Sequence, residues 1–506
     1  MGLKKKYYFL NITIILICLV TLVLLSILCA QNLNLHTLIL TNGGDEWAFH
    51  GSLSRIHKGI VNQDLRLFFG TGFFNYGYLY FFFNYALSSI FFFLNTIEFT
   101  ILVPRLISTV SAIISLVFLY KIFINNQPKK NAPLVLLLII SMPAFWINAI
   151  IFHPDWLFVC MLIISIYYLN LDDFKISKNY WIAIIFFSIA FSIKIQVIIF
   201  FPILLIYQII ANKLNFIKGI KIILFSFFII FVFRLITNPY LLHPEGFNAF
   251  IIGFKADMVS NKTNHGQGGT ISIFNKIEMI HNNYFNFIII FIACITSLYS
   301  VLNLFKSNNQ KLTSILALNF LLALIYLLFF VNKSWQHYYL GVILLAIINL
   351  ENFIFSYLKQ YYTLLFSLLI LSQSLNYTVY STLVKNVFKS DDDIIPFRNI
   401  PVLLEKKVSP KSHILIVGEA SFNFEQLGLS YDNIHLVYGP LNSGYFDKTS
   451  QLASTYHNFG FVEKDFIILS KLNKSENLIN EELAMLKLNY TLLNNEKAFM
   501  IFKRNN

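Results

Sequence analysis

The chain is dominated by uninterrupted apolar blocks, most of them long enough to cross the hydrocarbon core of a bilayer. A spanning helix needs about 20 apolar residues to cover ~30 Å, and backbone groups in lipid must be paired within their own segment. The blocks therefore predict an all-α polytopic membrane bundle of about eleven crossings, near residues 7–30, 74–95, 101–124, 134–152, 156–170, 180–210, 217–236, 284–304, 312–331, 338–355 and 360–380.

The chain changes character after residue 380. Charge rises, and short β-like runs separated by polar turns appear at 413–417, 434–438, 466–469 and 498–502. Such runs bounded by turn residues are typical of strands. We therefore expect a membrane domain over residues 1–380 and a small soluble mixed α/β domain over residues 381–506.

Lysines in the short loops predict the orientation, because cytoplasmic loops of membrane proteins are enriched in Lys and Arg. Lys4–Lys6 and Lys129-Lys130 are such groups. Two long polar loops, 31–73 and 237–283, then lie outside with the C-terminal domain. The high Phe, Ile, Asn and Lys content is typical of an AT-rich bacterial genome, so we expect a multi-pass protein of the bacterial inner membrane.

One apolar segment, 180–210, carries Lys194 and Gln196 near its middle. Broken helices at membrane depth are tolerated where they line a cavity. We predict two half-helices around Lys194. With that break, the loop lysines stay on the cytoplasmic side only if one apolar segment among residues 74–152 does not fully cross the membrane.

Composition and motifs exclude several classes of function. The net charge of +13 comes mostly from loop lysines, with no basic helix or aromatic-interleaved patch for nucleic acid. HExxH, Walker and GxSxG motifs are missing from the sequence, which argues against a metal hydrolase, an ATP-driven transporter and an α/β-hydrolase. Neither CxxC nor a soluble-tail thiol occurs, since all four cysteines lie in apolar blocks: Cys18, Cys29, Cys160 and Cys294.

The stretch 43–47 reads GGDEW and follows the first membrane segment. Asp45 and Glu46 are adjacent carboxylates after a flexible Gly-Gly pair. A carboxylate at the membrane edge can act as a general base on an incoming acceptor. The competing interpretation is a solvated loop whose acids cap a helix.

A second carboxylate, Asp155, lies in the stretch 153–156, which reads HPDW between two apolar blocks. Carboxylates at the membrane edge are costly and usually functional. The alternative is an N-cap, because Asp is a favoured cap and an apolar run follows directly. Both interpretations can hold together.

Cations within or beside the membrane are candidates for binding a lipid-linked phosphate, since Lys and Arg supply the countercharge. Arg105 and Lys194 fit this role, whereas snorkelling to headgroups better explains Arg234, near a segment end. His265 lies in a glycine-rich stretch that can approach a phosphate or form a flexible loop. His337, in a run reading WQHYY, is a further candidate beside an aromatic belt.

The order of these features resembles the GT-C superfamily of membrane glycosyltransferases, closest to the protein O-mannosyltransferase and aminoarabinose-transferase branch. The resemblance rests on Asp45-Glu46 in the first outer loop, Arg105 opening a helix, Asp155 at the next outer turn, and then Lys194. It covers most of residues 1–380.

The resemblance implies inverting transfer of a sugar from a polyprenyl-phosphate donor at the outer membrane face. Asp45 would act as the base or orient the acceptor, Glu46 would be the second acid and Asp155 the acid of the next outer loop. Arg105 and Lys194 would have structural or donor-phosphate roles. This branch works without a catalytic metal, unlike the oligosaccharyltransferase branch, so we expect no cofactor, although a divalent metal stays open.

The sequence thus predicts a glycosyltransferase whose partners are the lipid-linked donor, the bilayer and a surface glycan, lipid or protein acceptor. One alternative is a transporter or flippase of lipid-linked sugars, which would use the same cations without a base. The repeated halves of many transporters are missing from the sequence. Another alternative is a membrane scaffold whose C-terminal domain binds a partner.

Overall fold

The protein is a bundle of helices followed by a small sheet. The computed structural model describes residues 3–31, 33–39, 45–70, 76–126, 132–212, 216–263, 271–302, 311–333, 335–374, 396–418, 420–430, 433–437, 464–472, 476–487 and 489–505. The helices of the first part are α1 (Leu3–Ala30), α2 (Asp45–Val61), α3 (Leu65–Phe69), α4 (Tyr78–Phe93), α5 (Ile97–Asn126), α6 (Ala132–Ile140), α7 (Pro143–Ala149), α8 (Asp155–Asp172), α9 (Lys178–Ile193), α10 (Phe201–Ala211), α11 (Phe216–Thr237), α12 (Pro244–Thr263), α13 (Ile273–Asn283), α14 (Phe287–Leu302), α15 (Lys311–Phe329), α16 (Leu340–Tyr357) and α17 (Tyr362–Ser374).

The helical membrane bundle predicted from the sequence is confirmed. Among the described residues, six helices are long and apolar enough to cross a membrane, and the number rises to eight if each of two bent pairs is one span. The six are α1, α5, α8, α11, α15 and α16. Shorter apolar helices such as α4 and α9 accompany them, so the eleven crossings counted from the sequence are not confirmed.

Two apolar stretches are bent rather than straight. Helices α6 and α7 meet at 70°, and α13 and α14 meet at 105°. The first bend precedes Pro143, which starts α7 and cannot donate a backbone hydrogen bond to continue α6. Since α6 has 9 residues and α7 has 7, neither half alone is long enough to span a bilayer.

The predicted break at Lys194 is present. Helix α9 ends at Ile193, Lys194 has extended backbone angles (φ −147°, ψ 123°), and a 3₁₀ helix, Ile195–Phe200, leads into α10. A short extended segment lies against the break: Tyr76 forms an isolated antiparallel bridge with Lys194, and the Gly77 N–H donates to the Ile193 carbonyl at 2.9 Å. Backbone groups released by the break are thus satisfied within the protein.

Gly77 is required at this crossing. A Cβ atom placed on it would lie 1.6 Å from the carbonyl oxygen of Ser192. That distance is far inside van der Waals contact, so a side chain here would push the two segments apart. The glycine therefore allows Tyr76 to sit directly beside the broken helix.

The C-terminal part contains a five-stranded mixed sheet. After α18 (Ile400–Leu404) come β1 (Ile414–Val417), β2 (Ile434–Val437), β3 (Phe466–Ser470), α19 (Glu476–Leu486), β4 (Tyr490–Asn495) and β5 (Phe499–Arg504), in the order β2-β1-β3-β5-β4. Strand β1 is parallel to β2 and β3, and β5 is antiparallel to β3 and β4. The four predicted strands are present. The predicted domain boundary at residues 380–381 lies outside the described residues.

The sequence missed β4, an edge strand in which only one residue, Tyr490, is buried. The two faces of the sheet are covered differently. One face, including Leu415 and Ile467, packs on α19. The other, including Ile416 and Ile468, belongs to the same buried apolar cluster as the membrane bundle. The sheet is therefore packed onto the bundle.

One lysine of the C-terminal domain, Lys464, is buried two residues before the start of β3. Burial lowers the pKa of Lys464 to about 7, and its Nζ has no hydrogen-bond partner among the described residues. The unfolded chain keeps the proton up to its ordinary pKa of 10.5. Because the unfolded state then binds more protons, the burial penalty is complete below about pH 7 and shrinks as the pH rises towards about 10.5.

We expect Lys464→Met to raise the temperature at which the C-terminal domain of the full-length protein becomes protease-sensitive. The gain should be several degrees at about pH 6 and clearly smaller at about pH 9.5. Exposed Lys487 provides the control, since Lys487→Met should show no such pH dependence. Equal gains at both pH values, or destabilisation at both, would contradict the interpretation.

Candidate functional site

The centre of the site is Asp155, the first residue of α8, whose side chain is fully buried. Lys194 Nζ donates to Asp155 Oδ1 at 2.6 Å, and His153 Nδ1 contacts the other carboxylate oxygen. The preceding residue, Pro154, occupies the N-cap position and makes no side-chain cap bond. The Asp155 carboxylate is therefore the common partner of Lys194 and His153.

Asp45 is at the open side of this cluster. It is the first residue of α2, and its side chain is 37% exposed. Its Oδ2 lies 3.6 Å from Nε2 of His153, whose side chain is completely buried. Asp45, His153, Asp155 and Lys194 thus form a continuous chain from the surface into the break between α9 and α10. This chain connects an accessible carboxylate to a buried cation.

Glu46 faces the opposite way and is bound inside the protein. Arg105 donates from Nε to Glu46 Oε1 at 2.9 Å and from Nη2 to Oε2 at 2.6 Å. The backbone N–H of Phe152 also donates to Oε1, at 2.6 Å. Both charged side chains are buried, at 1% exposure or less. The pair fastens α2 to α5 and to the segment that leads to His153.

Aromatic rings enclose the buried end of the site. The rings of Phe49 and Tyr76 lie 5.3 and 5.9 Å from the ring of His153. Lys194 Nζ lies 5.5 Å from the ring centres of both Tyr76 and Tyr338, a distance at which cation–π attraction contributes. The rings exclude water from the ammonium group and strengthen its pairing with Asp155.

His337 joins the site from a distant part of the chain. It lies in the 3₁₀ helix Gln336–Tyr339, directly before α16, and its ring centre is 4.6 Å from that of His153. Lys333 is also buried, with Nζ 4.5 Å from the ring centre of Trp335. His337 interacts electrostatically with Asp155 and His153, and with Lys194 and Lys333.

The structure brings together most of the side chains proposed from the sequence. Asp45, Asp155, Lys194 and His337 meet, whereas Glu46 and Arg105 form a separate buried pair beside them. His265 lies outside the described residues. Sequence reasoning missed three contributors: His153, Tyr76 and Lys333. For two of them the sequence held a signal in their closeness to candidate residues: His153 is two residues before Asp155, and Lys333 is four residues before His337.

His153, Asp155 and His337 could together hold a metal ion. Each offers one ligand atom, and these atoms lie within 4.8 Å of one another. Imidazole nitrogens with a carboxylate suit zinc and similar divalent ions. Against such an ion, the Lys194 ammonium already occupies Asp155 Oδ1 and would repel a second positive charge in the same pocket.

No protein-family model matches this sequence, and no curated protein sequence matches it. Several solved structures have a similar fold. ArnT from Cupriavidus metallidurans bound to undecaprenyl phosphate aligns over 96% of this chain and 97% of its own, with a TM-score of 0.53 and 9% identity. The Archaeoglobus fulgidus oligosaccharyltransferase in the apo form aligns over 93% and 70%, with a TM-score of 0.57 and 14% identity.

The archaeal oligosaccharyltransferase AglB from Archaeoglobus fulgidus, in complex with an inhibitory peptide and a dolichol-phosphate, aligns over the same shares with a TM-score of 0.53 and 11% identity. These neighbours are GT-C superfamily members. The resemblance inferred from the sequence is therefore confirmed at the level of the fold. The low identities mean that the likeness extends to architecture, while the chemistry must be argued from this chain's own residues.

The Glu46–Arg105 pair generates a stability prediction. Removing one partner leaves an unpaired buried charge, which costs about 3–5 kcal/mol. We expect Glu46→Gln and Arg105→Met each to lower the stability of the detergent-solubilised protein by about that amount. The double variant should lose much less than the sum. Unfolding in a denaturing detergent series measures all three variants.

The control is Arg66→Met, because Arg66 pairs with Glu245 at 3.2 Å while both side chains are about half exposed. Exposed pairs contribute roughly 0–1 kcal/mol. Strict additivity of the Glu46 and Arg105 variants would show that the two side chains do not stabilise the protein as a pair.

Proposed function

We propose that the protein is a membrane glycosyltransferase that transfers a sugar, with inversion, from a polyprenyl-phosphate donor to an extracytoplasmic acceptor. The acceptor is a surface glycan, lipid or protein, and the membrane is the bacterial inner membrane. The observation that carries the proposal is the chain from partly exposed Asp45 through His153 and Asp155 to Lys194. Neighbours of the same fold are described with undecaprenyl phosphate or dolichol-phosphate bound, which supports a lipid-linked donor.

Asp45 is the proposed base. The carboxylate of Glu46 is bound to Arg105 and that of Asp155 to Lys194 and His153, so neither is available to an incoming hydroxyl. The Asp45 carboxylate is accessible. It would take the proton of the acceptor hydroxyl as the oxygen attacks the anomeric carbon from the face opposite the phosphate.

Lys194, Lys333 and His337 form the proposed phosphate-binding end of the site. As the bond between the sugar and the phosphate breaks, negative charge develops on the leaving phosphate. The two lysine ammonium groups, held in a site with little water, stabilise that charge in the transition state. Arg105 would not share this role, because it belongs to the separate pair with Glu46 that lies beside this cluster. Asp155 would keep Lys194 and His153 in place.

We expect Asp45→Asn to reduce transfer by about 10²–10⁴-fold, because the amide cannot accept the acceptor proton. The assay is the surface-glycan and lipid composition of host cells that lack the protein and are complemented with wild type or variant. Asp173→Asn is the control, since Asp173 is an exposed acid at the end of α8. It should restore the glycan fully.

Three outcomes of this experiment separate the hypotheses. Loss of one sugar on deletion, restored by wild type and by Asp173→Asn alone, supports the transferase and names the donor sugar. Full restoration by Asp45→Asn would remove the base assignment. Accumulation of the intact lipid-linked sugar on one membrane face, with no transfer by the purified protein, would identify a transporter or flippase.

Metal dependence provides a separate test of the pocket. Because Lys194 already neutralises Asp155, we propose that transfer needs no divalent metal. Purified protein should keep its activity after treatment with a strong chelator. Loss of activity that is restored by one added metal would contradict this proposal and assign the ion to His153, Asp155 and His337.

A further inference from the structure

We propose that the C-terminal domain positions Asp45 by clamping the start of α2, so that the soluble domain is part of the catalytic apparatus. The inference rests on the proposed function, because it concerns the geometry of the proposed base. It assigns a positioning role to Phe424 and Ser421, which lie far from Asp45 in the sequence.

Asp45 has little to hold its own side chain in place. Asp155 and Glu46 accept short charge-assisted hydrogen bonds of 2.6–2.9 Å. Among the described residues, the nearest partner of the Asp45 carboxylate is His153 at 3.6 Å, and more than a third of the side chain is exposed. The location of the Asp45 carboxylate therefore depends on where the backbone at the start of α2 is held.

One clamp contact is made by the 3₁₀ helix Phe424–Leu427, which follows β1. The rings of Phe424 and Trp47 meet edge to face, with centres 5.5 Å apart and planes at 77°. Both side chains are buried. Trp47 is two residues after Asp45 in the first turn of α2, so this contact fixes the turn that carries the proposed base.

The second clamp contact lies on the other side of Asp45 in the sequence. Ser421 Oγ donates a hydrogen bond to the backbone carbonyl of His36. Glu425 Oε2 lies 3.9 Å from His36 Nδ1. The segment 33–39 and the start of α2 are therefore both held by the same short stretch of the C-terminal domain, residues 421–425.

The sheet makes this stretch a firm support. Strand β1 is the middle of the three parallel strands, and residues 418 and 420–425 follow its carboxyl end. Gly418 has φ +89°, which permits the turn there. Phe422 and Phe424 belong to the buried cluster shared by the sheet and the bundle. A displacement of about 1 Å at a catalytic group can cost about 10²-fold in rate, so such a support bears on catalysis.

The test compares two buried phenylalanines of the same domain in the full-length protein. Phe424 contacts Trp47, whereas Phe502 lies in the cluster on the α19 side of the sheet. We expect Phe424→Ala to lower kcat by about 10- to 100-fold with the donor KM within about 3-fold. Phe424→Leu, which keeps an apolar side chain, should recover most of the rate. Phe502→Ala should leave kcat per folded molecule unchanged.

A pair of serine variants, which remove fewer atoms, covers the case in which the phenylalanine-to-alanine variants fold poorly. Ser421→Ala removes the hydrogen bond to His36, and Ser470→Ala changes an equally buried serine at the end of β3. Protease resistance of the domain gives the folded fraction. A kcat loss confined to Phe424→Ala and Ser421→Ala supports the clamp. Equal losses of kcat in both members of each pair, or no loss in either member, would overturn the proposed clamp.

Docking is tested without any activity assay by replacing His36 and Glu425 with cysteine and adding a short thiol cross-linker to native membranes. We expect rapid cross-linking of the double variant, no product from either single variant, and retained activity afterwards. Failure to cross-link in active protein would overturn the docked arrangement. If wild type transfers no sugar, the proposed function fails and the positioning claim fails with it, while cross-linking still reports on docking.

Discussion

The site depends on one buried ion pair, between Lys194 and Asp155. Transferring either charge from water into a low-dielectric interior is costly, and the cost is offset only when partners have good geometry and further hydrogen bonds. The 2.6 Å contact and the approach of His153 meet that condition. At the helix break, the ammonium group of Lys194 lies beside Asp155 at the start of α8. An unbroken helix would instead continue its backbone hydrogen bonding through Lys194.

This arrangement requires help from several distant segments. Gly77 lets an extended strand-like segment cross the break closely enough to satisfy its backbone. The aromatic rings of Tyr76 and Tyr338 then cover the ammonium group. The buried charge, the broken helix and the close crossing at Gly77 depend on one another, since each would be unfavourable without the other two.

The three acids near the site differ in what surrounds them. Glu46 is neutralised by Arg105 and fastens α2 to the bundle, whereas Asp155 is neutralised by Lys194 and His153. Asp45 remains accessible at the surface. The difference gives adjacent residues of one helix, Asp45 and Glu46, opposite roles: α2 presents one carboxylate to the site and uses the next to hold itself in place.

The sequence by itself determined the elements whose cause is local. Long apolar runs require helices in lipid, a lysine in mid-segment predicted the break at Lys194, and short apolar runs predicted most strands of the sheet. It also placed Asp45, Asp155, Lys194 and His337 among the candidates. The edge strand β4 was not predicted because only one of its residues is buried and its sequence lacks a clear apolar pattern.

Only the tertiary structure decided which charges meet. Arg105 pairs with Glu46 across 59 positions, and Ser421 reaches His36 across 385. Such pairings depend on which faces of the helices pack together, and neither apolar periodicity nor spacing specifies that choice. For the same reason Arg105, a candidate phosphate ligand in the sequence, lies in the structure as the buried partner of Glu46, and the accessible carboxylate is Asp45 alone among the three acids.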